Sequence, residues 1–326
     1  MLLAASFFFV ICAACVQSPS ASPIPDAQSA RNSSGSASPA SPSLRFEIRQ
    51  FSVKLTHTGV SEVDRSDTDF VIIDPTGLDR QEVARLKTRP DGARRVVVAY
   101  INIAEAETYR DYWRTAWNAT PPRWLGAANP DWANHYYTAY WDPQWQRILF
   151  GSPASKLDRI VAAGFDGVFM DGVDKYAVWP GRRAQSERDM YTLVDRIANY
   201  ARARTPGFLI IPNNAEALLD NPRYRSTIDA IVKEDLFFGV GGDGRPNSLS
   251  LVSWSLRQLR LATNDDLPVL VVEYVSDAGK RDYTVRQLRA NGLLGTFGRR
   301  DLARLTLPIP AGAGSVNQLR RLPRMD

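Results

Sequence analysis

Cysteine and histidine are nearly absent from this 326-residue chain. Both Cys, Cys12 and Cys15, fall within the first 15 residues. The remainder therefore has no disulfide, no thiolate nucleophile and no Cys-ligated zinc. Two His, His57 and His135, are too few for a His-rich metal cluster, and any Ser-His-Asp mechanism must use one of them. No Gly-x-Gly-x-x-Gly follows an early strand-like run, which removes the basis for a dinucleotide fold. The apolar stretch Leu2 to Val16 is shorter than the roughly 20 residues a membrane-spanning helix needs. Carboxylates and aromatics are what the chain has in quantity: 35 Asp and Glu, eight Trp and twelve Tyr.

Residues 1–16 fit the apolar part of an export signal. Ala13-Ala14-Cys15 resembles the end of a bacterial lipoprotein signal, which makes Cys15 the candidate lipidated residue; plain secretion is the alternative. Either way the expectation is an exported bacterial protein that meets a membrane only through a lipid anchor. Residues 17–43 are mostly Ser, Ala and Pro with almost no large apolar side chain, so they read as a flexible tether.

From residue 44 on, short β-branched or aromatic runs alternate with helix-like stretches. The runs are Phe46–Val53, Asp69–Asp74, Val96–Ile103, Asp166–Asp171, Phe208–Asn213, Ala230–Asp235, Val269–Val275 and Gly292–Phe297. Most are continuously apolar, as strands buried on both faces must be. Asp79–Lys87, Ser155–Ala163, Glu187–Thr205 and Ser253–Thr263 carry apolar residues at helical spacing. Eight such beats predict an α/β fold, a (β/α)8 TIM barrel in one domain over residues 44–306. An open doubly wound sheet is the runner-up. Residues 307–326 read as a basic, weakly structured tail.

Several predicted strands end in acids or amides: Asp74, Glu105, Asp171, Asn213 with Asn214, Glu234 with Asp235, and Glu273. In a parallel barrel these ends gather at one rim, where active sites of the fold lie. Any one of them can be a helix cap; together they predict an acidic cleft. The stretch Tyr100–Trp145 holds six of the eight Trp and reads as a long loop whose aromatic cluster faces substrate. Acids around aromatics suit glycoside hydrolysis, which needs two carboxylates and no His, Cys or metal. An acidic cleft also attracts a cationic sugar polymer.

The residues that carry a family resemblance are Tyr100-Ile-Asn-Ile-Ala-Glu-Ala-Glu-Thr-Tyr-Arg-Asp-Tyr-Trp113, Asn129-Pro-Asp-Trp132, Tyr140-Trp-Asp-Pro-Gln-Trp145 and Gly164-Phe-Asp-Gly-Val-Phe-Met-Asp-Gly-Val-Asp-Lys-Tyr176. Ile211-Pro-Asn-Asn-Ala-Glu216, Lys233-Glu-Asp235 and Val271-Val-Glu-Tyr274 follow in order. Together they resemble glycoside hydrolase family 114, the endo-α-1,4-polygalactosaminidases. The resemblance implies a (β/α)8 barrel that cuts α-1,4-linked galactosamine-rich polysaccharide without a cofactor. It implies Asp171 and Glu234 as the catalytic pair, with Asp171 as nucleophile and Glu234 as acid/base, or the reverse. It further implies Asp74, Tyr100, Glu105, Trp141, Asp174, Tyr176, Asn213, Asn214, Glu273 and Tyr274 as substrate contacts. Glu107 and Glu216 read as structural.

Two other functions stay open at this point. One is a non-catalytic carbohydrate-binding lipoprotein on the same barrel. The other is a metal-dependent hydrolase holding a divalent cation on Asp171, Asp174, Asp235 and Glu273. Charge adds one observation: residues 280–326 carry ten Lys and Arg against three acids, an excess of +7, which leaves the rest at −2 within the net +5. This reads as a solvated helix face and tail and not as a nucleic-acid footprint.

Overall fold

A computed structural model describes residues 46–56, 59–179, 182–312 and 317–323. The expected export signal, Cys15, the tether and His57 lie outside them.

The predicted apolar runs become eight parallel strands: β1 (Phe51–Lys54), β2 (Phe70–Ile73), β3 (Val96–Asn102), β4 (Gly167–Asp171), β5 (Leu209–Pro212), β6 (Ile231–Glu234), β7 (Val269–Glu273) and β8 (Leu294–Phe297). Ladders join β1 to β5 in chain order, and a second set joins β6 to β8. A single bridge, Asn213 to Val232, links β5 to β6. No ladder links β8 to β1 among the described residues. A returning strand, Leu307–Ile309, lies antiparallel to β8. Just before it, Thr306 N–H donates to Val53 O (3.1 Å) and Val53 N–H donates to Thr306 Oγ1 (2.9 Å), so this segment fills the gap.

Alternation along the strands builds two cores. Phe51, Phe70, Val98, Phe169, Leu209, Val232, Leu270 and Leu294, one from each strand, belong to a single buried cluster. The intervening side chains, such as Val71, Val97, Met170, Ile210 and Val271, pack against an outer layer of helices. Successive strand side chains point to opposite faces, so strands buried on both sides must be apolar throughout. The helices include α1 (Arg80–Leu86), α2 (Lys156–Ala162), α3 (Arg183–Arg202), α4 (Leu249–Asn264) and α5 (Ala278–Ala290). Asp79 closes a capping box with Glu82 at the start of α1, which supplies partners for backbone N–H groups the helix cannot use.

Two expectations need correction. The first predicted strand is interrupted: Phe46–Glu47 pairs antiparallel with Gln318–Leu319, and β1 begins only at Phe51. The cause is the buried carboxylate of Asp69, which accepts N–H groups from Arg49 (3.0 Å) and Gln50 (3.0 Å) and so withdraws them from any ladder. The segment from residue 307 on, expected to be weakly structured, is tied down where it is described. Besides its two short strands, Arg321 pairs with the buried Asp229 (2.7 Å) just before β6.

Between β3 and β4 the chain makes a long excursion. Its strands Glu105–Glu107, His135–Thr138 and Leu125–Ala128 form an antiparallel sheet in that order. The Trp-rich cluster is mostly the core of this excursion and not a substrate platform. Trp113, Trp117, Trp124 and Trp145 pack in a chain with ring centroids 5.4, 5.1 and 5.0 Å apart. Trp145 is fully buried and its indole N–H donates to Ile103 O (2.8 Å). Large aromatic area is best buried, and a buried indole needs an acceptor.

Candidate active site

Side-chain alternation decides which strand-end residues reach the rim. On β4, Phe169 points inward and so does Asp171; on β6, Val232 and Glu234 share that side; on β5, Ile211 is followed two residues later by Asn213. These positions open into a cleft of about 780 Å³, which Tyr100, Glu105, Asp171, Asp174, Asn213 and Glu234 help to line.

One amide holds the centre together. Asn213 Nδ2 donates to Asp171 Oδ1 (3.3 Å) and to Glu234 Oε2 (2.9 Å). The two carboxylate oxygens therefore sit no further apart than those bonds laid end to end, roughly 6 Å. Asp171 also accepts from Tyr100 Oη (3.0 Å), Gly172 N–H (2.8 Å) and, more weakly, Asn102 Nδ2 (3.5 Å). Glu234 accepts a short hydrogen bond from Tyr274 Oη. Asn214 Oδ1 takes the Glu234 N–H (3.1 Å), which fixes the end of β6.

Burial pushes both carboxyls upward. For Asp171 the neighbouring Lys175 pulls back down, while Asp174 and Glu105 add to the rise. For Glu234 the Asn213 hydrogen bond pulls down and the charge of Asp171 pushes up. Glu105 is buried, yet His135 (3.6 Å), Lys175 and Asn129 outweigh the desolvation and hold its carboxyl below the ordinary range.

The local backbone is shaped for this arrangement. Asn214, Ala215 and Asp235, just past β5 and β6, all adopt left-handed φ near +55° (53°, 56° and 53°). Such conformations cost of order 1–3 kcal/mol and cluster at functional sites. Gly172, directly after Asp171, has φ 78°, and a Cβ there would lie 2.6 Å from Asn102 Oδ1. Only glycine lets the chain turn there without displacing Asn102.

Of the residues expected to contact substrate, Tyr100, Glu105, Asp174, Tyr176, Asn213, Asn214 and Tyr274 line the cleft with Asp171 and Glu234. Asp74, Trp141 and Glu273 do not. Asp74 is buried against Arg110 (2.8 Å), which also binds Glu107 (2.9 Å). Lys156 joins the same network, and Glu107 is held down to about 2; burial pushes it up, but Lys156 and Arg110 outweigh that. Trp141 lies in a separate shallow groove with Trp179, beside Arg123 and Asp142. Glu273 has the opposite parity to Tyr274 and is 0% exposed, with one oxygen accepting from Phe237 N–H (2.7 Å).

The arrangement proposed for a cation is likewise not assembled. Asp235 is taken by Arg300 (2.8 Å), Asp174 lies beside Lys175 (3.4 Å), and Glu273 faces the helix layer. Among the described residues no group of three or more His, Cys, Asp or Glu side chains could hold a metal ion.

Sequence reasoning missed Tyr109, Trp132, His135, Lys175, Lys233 and Arg300, which also line the cleft. Trp132 is 48% exposed and Tyr109 51% exposed, so the outer end of the excursion is where aromatic faces are available. Lys175 sits one position past Asp174 in the segment Gly164–Tyr176 and was legible there as a neighbour of Asp171. Arg300 had no signal beyond the basic C-terminal excess.

Glu273 yields a pH prediction. Burial, with the Asp235 charge nearby, lifts its carboxyl to about 8. Between the unfolded value near 4.5 and about 8 the native state binds the extra proton, so Glu273 makes stability fall as pH rises through that window. Glu273→Gln, which mimics the protonated acid, should match wild type near pH 5 and melt higher near pH 8. Parallel melting-temperature curves across pH 5–8 would remove this account.

A family model described as glycoside-hydrolase family GH114 matches residues 28–316. An uncharacterized protein of Deinococcus radiodurans is 34% identical over 269 residues, covering 81% of this chain and 84% of that one. An uncharacterized protein of Methanocaldococcus jannaschii is 31% identical over 250 residues, covering 72% and 69%. The fold is similar to the glycoside hydrolase domain of PelA from Pseudomonas aeruginosa, with a TM-score of 0.63 at 16% identity, over 80% of this chain and 98% of that one.

Proposed function

Because the chain belongs to glycoside hydrolase family GH114, we propose that it cleaves α-1,4-linked galactosamine-rich polysaccharide by a retaining, two-carboxylate mechanism, on strands that together make a (β/α)8 barrel. The observation that carries this reading is the single Asn213 amide shared by Asp171 and Glu234. One oxygen of each carboxylate lies within roughly 6 Å of the other, which is compatible with the about 5–5.5 Å of retaining pairs and below the about 6.5–9.5 Å at which inverting pairs admit water between them. The inward set drawn from all eight strands supports the barrel.

The donors around Asp171 support one assignment of roles. Asp171 is surrounded by Tyr100, Asn102, Asn213 and the Gly172 N–H, all of which favour the ionised form, and Lys175 adds a positive charge. In its ionised form Asp171 serves as nucleophile. Its negative charge then keeps the proton on Glu234, which donates to the leaving oxygen. Attack by Asp171 forms a covalent glycosyl-enzyme while Glu234 loses its proton. Glu234 next takes a proton from water, whose oxygen displaces Asp171, and the anomeric configuration is restored. Glu105 and Asp174, acids on the cleft wall, suit ammonium groups of galactosamine.

The test is incubation with de-N-acetylated α-1,4-galactosamine oligomers, followed by mass spectrometry and by proton NMR of the first-formed anomer. Shortened products with the α configuration are expected. Intact oligomers would remove the substrate assignment, and β products would remove retention.

A further inference from the structure

The basic C-terminal excess has a place in the fold that the proposed reaction does not use. Past Arg300 and Tyr274 the catalytic cleft continues into a second groove of about 700 Å³, over the ends of β7 and β8 and the start of α5. Lys280, Arg281, Arg299, Arg300 and Arg304 line it, against Asp243, Asp277 and Asp301.

The three acids are already spent. Asp243 pairs with Arg300, which also binds Asp235; Asp301 pairs with Arg299 (3.0 Å); Asp277 caps α5 through the Lys280 N–H (2.9 Å). Lys280, Arg281 and Arg304 are left with no carboxylate at ion-pair distance among the described residues. Arg304 comes near enough to Glu62 to lower its carboxyl, but that carboxylate is held by Lys54 (3.1 Å) and the Leu305 N–H. Arg281 is fixed in place: its Nε donates to Val275 O (2.9 Å) and its guanidinium lies 5.0 Å from the Phe297 ring centre. An orientated guanidinium of this kind presents its remaining N–H groups to a planar anion.

We propose that this groove is a subsite for a carboxylate-bearing sugar in the same polymer whose galactosamine portion occupies the acidic cleft. The inference rests on the cleft being a polysaccharide site. Continuity of the two grooves through Tyr274, Arg300 and Asp301 lets one extended chain occupy both. The change from acidic to basic walls then selects a polymer whose charge changes along its length.

Calorimetric titration of the full chain with tri-galacturonate tests this, with its fully methyl-esterified form as the neutral counterpart. Wild type should bind the acid, bind the ester at least tenfold more weakly, and lose affinity as NaCl rises. Lys280→Glu with Arg304→Glu, both away from the packed core, should weaken binding of the acid about tenfold or more. The same variant should still cleave short galactosamine oligomers within about twofold of wild type. Equal affinity for acid and ester, unchanged binding by the double variant, or displacement by equimolar inorganic phosphate would overturn the subsite. Failure of the oligomers to be cleaved while the acid still binds would count against the proposed reaction alone.

Discussion

Asp171→Asn should reduce kcat on galactosamine oligomers by about 10⁴-fold or more, since loss of a nucleophile leaves only binding and electrostatics. Glu234→Gln should cost about 10²–10⁴-fold on the same substrate, the range for a general acid. The two variants separate on an aryl glycoside with a good leaving group. Such a substrate needs no protonation, so Glu234→Gln should form the covalent glycosyl-enzyme at near wild-type rate and then stall, visible as a burst of aryl alcohol and as a mass adduct on Asp171. Asp171→Asn should show neither. Azide added to Glu234→Ala should yield the α-glycosyl azide. The exchanged pattern, with an adduct on Glu234, would reverse the roles; undiminished cleavage by both variants would remove the pair from the mechanism altogether.

The second large effect belongs to Asn213, which touches both carboxylates. Hydrogen bonds to charged groups contribute about 1.5–3 kcal/mol each. Asn213→Ala removes two of them (3.3 and 2.9 Å) and should lower kcat by about 10²–10⁴-fold. It should also raise the upper limb of the pH–rate profile, because Glu234 loses the donor that most favours its ionised form while Asp171 still opposes it. Asn213→Asp should do worse, since a third carboxylate between the other two adds like charge where a donor stood. Rates within about threefold of wild type for both variants, with an unmoved pH profile, would reduce Asn213 to a packing residue.

These two predictions also show what could be read from the chain. Asp171, Asn213 and Glu234 were visible as polar residues ending apolar runs, whereas Tyr274 came only with the family resemblance. What the runs did not display was register: a strand's parity flips with each residue, and only the cluster of Phe169, Ile211, Val232 and Val272 fixes which face is inward. Glu273 and Tyr274 looked equivalent in sequence, yet one lies under the helix layer and the other reaches Glu234. Asp74 ends its strand as expected, but Arg110, arriving from the excursion, covers it. That contact spans 36 residues and has no local signature. The eight strands were legible because burial on both faces leaves only apolar choices. The split of the first strand was not, because it depends on Asp69 reaching back to the N–H groups of Arg49 and Gln50.

The pairing of Phe46–Glu47 with Gln318–Leu319 lies at the end of the sheet from which the strands start, whereas Asp171 and Glu234 lie at the end where they finish. Phe46, the first described residue, therefore lies on the side of the folded body opposite the cleft. Anything joined to the chain at Phe46 meets the folded body on the side away from Asp171 and Glu234 and leaves the cleft open.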